Sequence, residues 1–168
     1  MTYNIVTAAH GSAGVDPSVF RQAMGQFATG VAVVTTKEDG LSFGMTVNSL
    51  TSVSLDPCLL LVCPKKGSLT GEAIKRRGMF AVNIMEEGQE ELCLRFVGED
   101  AARFEGLDVL DKRGMPLLPQ SLVHLVCSVY SVYPGGDHEI IVGQVLDCQA
   151  GNGDPLVFHQ GRFCRRIA

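Results

Sequence analysis

Short hydrogen-bonding side chains are concentrated in the segment 44–57, GMTVNSLTSVSLDP. Its apolar residues depart from strict alternation around Asn48 and Ser49, which is not the pattern of a purely structural strand. Such a segment suits the edge of a planar heterocycle such as an isoalloxazine ring, which needs several hydrogen-bonding partners. A Ser/Thr-rich outer face of a β-barrel is the alternative interpretation, and the composition alone favours it. The hydroxyl or amide residues are Thr46, Asn48, Ser49, Thr51, Ser52 and Ser54.

A basic loop between a predicted strand and a predicted helix is the second candidate site. Cys63, Lys65, Lys66, Ser68 and Leu69 stand where the apolar strand ends and the helix begins. The N–H groups of a helix N-terminus, a lysine side chain and the Ser68 hydroxyl together suit an anion such as a flavin phosphate. An ordinary capped helix with two surface lysines explains the same residues equally well.

The third candidate is a histidine between two long predicted strands, in the sequence Gly135-Gly136-Asp137-His138. Beside an aspartate, such a histidine can bond a nicotinamide carboxamide or donate a proton. A surface histidine without a function is the alternative, and it is favoured without further context. Other nucleotide-binding and hydrolytic patterns do not occur: the sequence has no Rossmann glycine fingerprint, no P-loop and no G-x-S-x-G elbow.

Capping and turn signals divide the chain into the elements that must position these candidates. Asp16-Pro17 marks a helix start, and Asp39-Gly40 marks a hairpin turn. The predicted helices cover 17–29, 68–77 and 86–96, and the predicted strands cover 31–36, 45–55, 59–63, 80–85, 125–133, 139–150, 156–158 and 162–166. This succession of short strands predicts a mostly β fold with inserted helices, a closed antiparallel barrel rather than a doubly wound sheet.

Length and composition exclude several classes of protein. The 168 residues fit one domain, for which we expect a flexible lead-in at 1–15 and a domain at 16–168. A net charge of −4 with scattered Lys and Arg argues against a nucleic-acid surface. No apolar run approaches the ~20 residues that span a bilayer, and the first residues lack the pattern of a signal peptide. We therefore expect a cytoplasmic protein that does not bind membranes.

The sequence contains six cysteines, and no two of them have CxxC spacing. This argues against a metal site and favours free thiols in a reducing compartment. Cys63, Cys127 and Cys148 lie in apolar runs, so we expect them in the core.

In their order and spacing, these segments resemble the flavin reductase-like family, whose fold is the FMN-binding split barrel. Members are small reductase components of two-component flavin monooxygenases. Each matching string alone is weak evidence for the family, but together the strings are specific, and they cover nearly all of 20–165. The strings are FRQAMGQFATGVAVVTT, GMTVNSLTSVSLDP, LLLVCPKKGS, FAVNIMEEGQEEL, the pair Arg103-Phe104, GDHEIIVGQV and DPLVFHQGRF.

The resemblance implies a role for each candidate residue. His138 matches the histidine that lies near the nicotinamide, and it is the predicted catalytic residue. The implied activity is that of an NAD(P)H:flavin oxidoreductase, which transfers a hydride from NADH or NADPH to FMN or FAD and supplies the reduced flavin to a partner monooxygenase. A homodimer is implied as well. The implied flavin contacts are Thr46, Val47, Asn48, Ser49, Thr51 and Ser52 for the ring, and Cys63, Lys65, Ser68 and Leu69 for the ribityl chain and phosphate.

Two positions depart from the family pattern. Phe163 stands where many members have a tyrosine, so a hydroxyl contact is lost there, and the loop Lys65-Lys66-Gly67 is more basic than in many relatives. Neither departure decides between FMN and FAD or between NADH and NADPH. A reductase of the same fold that acts on a corrinoid or ferric complex is one alternative, and a non-enzymatic flavin-binding electron carrier is another.

Overall fold

The computed structural model describes residues 14–98 and 101–164, without the side chains of 101 and 102. Most of the predicted lead-in lies outside the described residues, so the division into 1–15 and 16–168 stays a prediction. No described helix is long and apolar enough to cross a membrane. The helices are α1 (Pro17–Met24), α2 (Leu69–Arg77) and α3 (Glu90–Arg95), with a short 3-10 helix at Ala101–Phe104.

The described strands form three antiparallel sheets. The strands are β1 (Thr29–Gly30), β2 (Ala32–Glu38), β3 (Leu41–Val47), β4 (Thr51–Leu55), β5 (Cys58–Val62), β6 (Met79–Ile84), β7 (Leu110–Lys112), β8 (Met115–Leu117), β9 (Val123–Gly135), β10 (His138–Ala150), β11 (Val157–His159) and β12 (Arg162–Cys164). The largest sheet has seven strands in the order β3-β2-β6-β9-β10-β5-β4, the second has the order β1-β11-β12, and β7 pairs with β8.

The seven-stranded sheet closes on itself because its two edge strands are neighbours in the chain. Only residues 48–50 join β3 to β4, and the four Cα steps between the strands span at most about 14 Å. The sheet must therefore curl until its edges meet, as in a barrel. Within the sheet, β3 and β4 are not hydrogen-bonded neighbours, so a gap remains between them, which we name the seam. The predicted mostly β fold, a split antiparallel barrel with inserted helices, is confirmed.

The helix α2 and the first hairpin form where their sequences predict them. Ser68 caps α2, since its Oγ accepts a hydrogen bond from the Gly71 N–H at 3.3 Å. Gly78 ends the helix with a φ of +70°, a left-handed conformation that glycine adopts without strain. Asp39 and Gly40 both have positive φ and form the predicted two-residue turn between β2 and β3.

Several predicted elements differ from those in the structure. The strand predicted at 45–55 is two strands, because the chain breaks at 48–50 to cross the seam. The helix predicted at 86–96 begins only at Glu90, since the Gln89 side chain accepts the Glu86 N–H at 2.9 Å and holds the preceding residues in a turn. The first helix ends at Met24 rather than before Gly30. The hairpin β7–β8 is missing from the prediction.

The barrel interior is filled by apolar side chains, and one amide is buried on the opposite face of β6. Phe80 and Ile141 are fully buried in the interior, and burying a side chain of this size contributes about 1.5–3 kcal/mol. Asn83 is also fully buried. Its amide donates to the Val33 carbonyl at 2.9 Å, and its Oδ1 accepts the Leu118 N–H at 2.9 Å. Asn83 therefore fixes the segment after β8 to the barrel with its polar atoms satisfied.

The six cysteines are free thiols. Cys93 and Cys127 are buried, and burial raises the pKa of each to about 12. Cys63 is half-buried. The prediction that Cys148 lies in the core is wrong: it is exposed, because β10 continues past the buried part of the barrel at its C-terminal end.

Candidate functional site

The seam lies beside a cavity of about 460 Å³, which we name the central cavity. Its walls come from the end of β3, the first residues of the seam crossing, the loop after β5 and the start of β10. The three candidate segments of the sequence therefore form one site, of a volume common for small-molecule sites. Eight of the eleven predicted site residues line it: Thr46, Val47, Asn48, Ser49, Cys63, Lys65, Ser68 and His138. Met45 and Pro64, which are not among the predicted site residues, complete the lining.

Two serine hydroxyls in the central cavity are held by backbone N–H groups. Ser49 Oγ accepts from the Cys63 N–H at 3.0 Å, which ties the seam crossing to the end of β5. Ser68 Oγ accepts from the Gly71 N–H at the start of α2. A hydroxyl that accepts in this way keeps its own hydrogen to donate, and neither serine donates it to another described residue. Both serines therefore suit a ligand with carbonyl or phosphate oxygens.

Thr46 has a different part in the cavity wall. Its Oγ1 donates to the Cys93 carbonyl at 2.6 Å, and its backbone N–H donates to the Phe96 carbonyl at 3.1 Å. These bonds fix the end of β3 to α3 and use the hydroxyl hydrogen. Thr46 can therefore pack against a ligand, but its hydroxyl hydrogen is not available for a hydrogen bond to that ligand.

Positive charge enters the central cavity at the start of α2. Ser68 caps the helix and Lys65 lies three residues before the cap, and both line the cavity. The N-terminal N–H groups of a helix carry a partial positive charge, to which a lysine adds a full one. This corner of the cavity therefore favours an anionic group. The Cys63 thiol lies nearby, and burial raises its pKa, so it stays protonated at neutral pH.

Backbone pairing brings His138 to the same cavity. The Glu139 N–H donates to the Pro64 carbonyl at 2.9 Å, and Lys65 and His138 form an antiparallel bridge. These contacts continue the pairing of β5 with β10 beyond the end of β5. His138 is therefore placed by main-chain hydrogen bonds as well as by its turn.

The neighbouring aspartate orients the His138 ring. Nδ1 of His138 lies 2.9 Å from Oδ1 of Asp137. The hydrogen bond from His138 is the main reason that the pKa of Asp137 lies below its usual value. The ionised carboxylate can only accept, so Nδ1 carries the hydrogen of this bond. Nε2 is then the ring nitrogen left for a ligand, and the side chain is 44% exposed, so a ligand can reach it.

Three predicted residues lie outside the lining of the central cavity. Thr51 and Ser52 are exposed on β4, opposite Leu61 and Leu60 of β5. Leu69, the first residue of α2, lines a smaller cavity of about 210 Å³. Flavin contacts at these three residues, like those at the eight residues of the lining, stay predictions.

A second cavity of about 350 Å³, which we name the side cavity, shares the wall formed by Thr46, Val47 and Asn48. Phe158 and Phe163 face each other across the β11–β12 hairpin, with ring centroids 5.6 Å apart. The pairing of the two rings could have been predicted from the sequence, because aromatic residues at equal distances from a Gln-Gly turn lie opposite each other in a hairpin. The residues that sequence analysis did not assign to a site are Val31, Leu94, Val97, Phe158, Gly161, Arg162 and Phe163.

Fold and site together define a class of protein. A split barrel whose seam carries hydroxyl donors, a cationic helix N-terminus and an accessible histidine suits a phosphorylated heterocycle. In the part of the chain that the structure describes, no group of three or more His, Cys, Asp or Glu residues could hold a metal ion.

Comparison with known proteins gives the family. A model described as "Flavin reductase like domain" matches residues 24–166. The reductase subunit HsaB of a flavin-dependent monooxygenase from Rhodococcus jostii (strain RHA1) is 40% identical over 151 residues, which cover 89% of this chain and 77% of that protein. The FMN reductase (NADH) SmoA from Agrobacterium fabrum (strain C58 / ATCC 33970) is 40% identical over 153 residues, covering 90% and 87%.

Among solved structures, the Streptomyces globisporus C-1027 NADH:FAD oxidoreductase SgcE6, in complex with NAD and FAD fragments, matches with a TM-score of 0.86. Its sequence is 36% identical, and the match covers 94% of this chain and 98% of that one. The chain belongs to the flavin reductase-like domain family. The family resemblance found in the sequence is confirmed.

Proposed function

We propose that the chain is an NADH-dependent flavin reductase that supplies reduced FMN or FAD to a partner monooxygenase. The observation that carries the proposal is the central cavity, where Ser49, Lys65, Ser68 and His138 line one space beside the seam. The family supports it, since the similar proteins include an FMN reductase that uses NADH and an NADH:FAD oxidoreductase.

The donors of the central cavity fit a flavin. Val47, Asn48 and the Ser49 hydroxyl would contact the isoalloxazine ring, whose edge carries carbonyl acceptors. Lys65 and Ser68 would hold the phosphate at the N-terminus of α2. FMN and FAD share the ribityl phosphate, so this assignment accepts either flavin.

His138 belongs to the nicotinamide side of the proposed site. With Nδ1 bonded to Asp137, Nε2 can bond the carboxamide of a nicotinamide. When bound, the flavin accepts the hydride that the nicotinamide donates. The residues of the chain need only hold the two rings in contact and place donors near the ring carbonyls, where negative charge develops. No acid–base dyad is required.

We propose in addition that the enzyme is a cytoplasmic homodimer. Phe20, Phe27, Leu55 and Tyr133 are large apolar side chains that the single chain leaves exposed, and exposed apolar surface commonly marks a protein contact. The free thiols support a reducing compartment. Sedimentation should give twice the mass of one chain, and a species with the mass of one chain would contradict the dimer.

A steady-state assay tests the proposed activity. Purified protein should oxidise NADH only when FMN or FAD is added, at a rate that saturates with flavin. NADPH in place of NADH measures the preference between the two nicotinamides. Tight flavin binding without NADH oxidation would show an electron carrier instead. Oxidation of NADH that requires a corrinoid or a ferric complex, and ignores free flavin, would show a reductase of another acceptor.

A further inference from the structure

A partly buried ion pair joins α2 directly to the strand that carries His138. Lys75 Nζ lies 2.8 Å from Glu139 Oε1 and 2.8 Å from Glu72 Oε1. The side chains of Lys75 and Glu139 are only 26% and 18% exposed, so salt screens their attraction less than that of a surface pair. Glu139 directly follows His138, and Lys75 lies about two helical turns after Ser68.

The main chain of Glu139 is attached to the wall of the central cavity. Its N–H donates to the Pro64 carbonyl at 2.9 Å, and the Lys66 N–H donates to the Asp137 carbonyl at 3.0 Å. The loop 64–66 leads straight into α2. Glu139 is therefore held at two points, by its backbone to the loop before α2 and by its side chain to Lys75 within α2.

The charge of the Glu139 carboxylate is stabilised by Lys75. Its second oxygen, Oε2, is buried and has no hydrogen-bond partner among the described residues. The hydrogen bond to Glu139 is the main cause that raises the pKa of Lys75 above its usual value, so the lysine stays charged through the neutral range. Removing one member of this partly buried pair leaves the other charge without its partner. Without Lys75, the carboxylate must turn towards water, which pulls on the strand at 137–139.

We propose that the Lys75–Glu139 pair is a positioning unit that holds His138 in place relative to the start of α2 and thereby sets the affinity for the nicotinamide. Neither residue is in the lining of the central cavity, so both act through His138 and the loop 64–66. The inference rests on the proposed function, because that function gives His138 its nicotinamide contact.

The kinetic test compares two ion pairs of the same helix. Lys75→Met removes the pair with Glu139. The control, Arg76→Met, removes the bidentate pair with Glu38, which has two contacts of 2.7 Å and joins α2 to β2 instead. We expect Lys75→Met to raise the KM for NADH about tenfold with kcat within about twofold, the pattern of lost binding rather than lost chemistry. The control should leave this KM within about twofold of wild type.

Two further variants show whether the pair acts as a unit. Lys75→Arg keeps the charge and should stay within about threefold of the wild-type KM. The double variant Lys75→Met/Glu139→Gln should be no worse than Lys75→Met, because the pair with Glu139 is already lost in the single variant. If Lys75→Met does not fold, the same rise in the KM for NADH is expected of Glu139→Gln. Equal KM values in Lys75→Met and Arg76→Met, or additive losses in the double variant, would overturn the inference.

Amide hydrogen exchange gives a readout that does not need activity. In Lys75→Met, the amides of Glu139 and Lys66 should exchange faster than in wild type, while the amide of Thr35 in β2 keeps its rate. Unchanged exchange at Glu139 and Lys66 would also overturn the inference. Wild-type protein that fails to oxidise NADH with flavin would instead refute the proposed function, and the exchange experiment would still test the positioning role.

Discussion

At the scale of single residues, Ser68 serves the helix and the cavity with one hydroxyl: it caps α2 and lines the central cavity. Aspartate is also a good N-cap, so Ser68→Asp should leave α2 intact while it places a negative charge beside the proposed phosphate position. We expect the dissociation constant for FMN to rise about tenfold or more, and that for riboflavin to change less than about twofold. Fluorescence titration with both flavins measures the difference.

The control for this change is Ser54→Asp, which adds the same charge on β4 outside the lining of the central cavity. Ser54→Asp should change the dissociation constant of neither flavin. If Ser68→Asp raised the dissociation constants of FMN and riboflavin equally, the assignment of the phosphate to this corner of the cavity would be wrong.

His138 gives the second prediction at this scale. If its Nε2 contacts the nicotinamide, His138→Ala should raise the KM for NADH by about tenfold, the value of one good hydrogen bond to a bound ligand, and should change flavin binding less. The control is His159→Ala, since His159 lies in β11 and does not line the central cavity. Steady-state kinetics with each substrate varied in turn separates the two effects, and equal loss of both substrates would contradict the assignment.

At the scale of elements, local signals were predictable from the sequence and long-range contacts were not. Ser68 and Gly78 delimit α2 by capping rules that involve only near neighbours. The break at 48–50 depends on Ser49 contacting the end of β5. The late start of α3 depends on Gln89, whose side chain also donates to the Pro119 carbonyl at 3.1 Å, 30 positions away. The site followed the same rule: its polar residues stand out in composition, but the contact of Lys75 with Glu139 joins residues 64 positions apart.

The attachment of α2 to β2 gives a prediction on pH. The hydrogen bond from Arg76 is the main cause that lowers the pKa of Glu38 below its ordinary value of 4.5. A carboxyl group with a lowered pKa stabilises the fold above its ordinary value and loses that contribution as the pH falls through the lowered pKa. Glu38→Gln should therefore lower Tm at about pH 7 and have a smaller effect at about pH 3, because the contribution of Glu38 decreases as the pH falls below 4.5 towards and through the lowered pKa. Thermal unfolding at both values is the measurement, with Glu91→Gln, an exposed position on α3, as the control. A Tm difference of the same size at both pH values would contradict the ion pair as its cause.

At the scale of the whole molecule, the same segments close the barrel and form the site. The seam crossing 48–50 brings the two sheet edges together, and Asn48 and Ser49 also line the central cavity. The remaining walls come from the loop after β5 and from the start of β10, so the ligand contacts segments that only the closed barrel assembles. The unfolded chain therefore has no comparable site.

Binding of a flavin should stabilise the entire fold as a consequence. A ligand that binds only the folded state, present at about a hundred times its dissociation constant, adds about 2.7 kcal/mol, which corresponds to a rise in Tm of roughly 5–10 °C for a domain of this size. We expect FMN or FAD to produce this rise in a single cooperative transition, because strands from both edges of the sheet take part. At the same FMN concentration, a roughly tenfold higher dissociation constant means that Ser68→Asp should lose about half of the rise with FMN, while it keeps the smaller rise with riboflavin. A saturating flavin that leaves Tm unchanged, or that shifts only a minor early transition, would show that the ligand lies away from the seam.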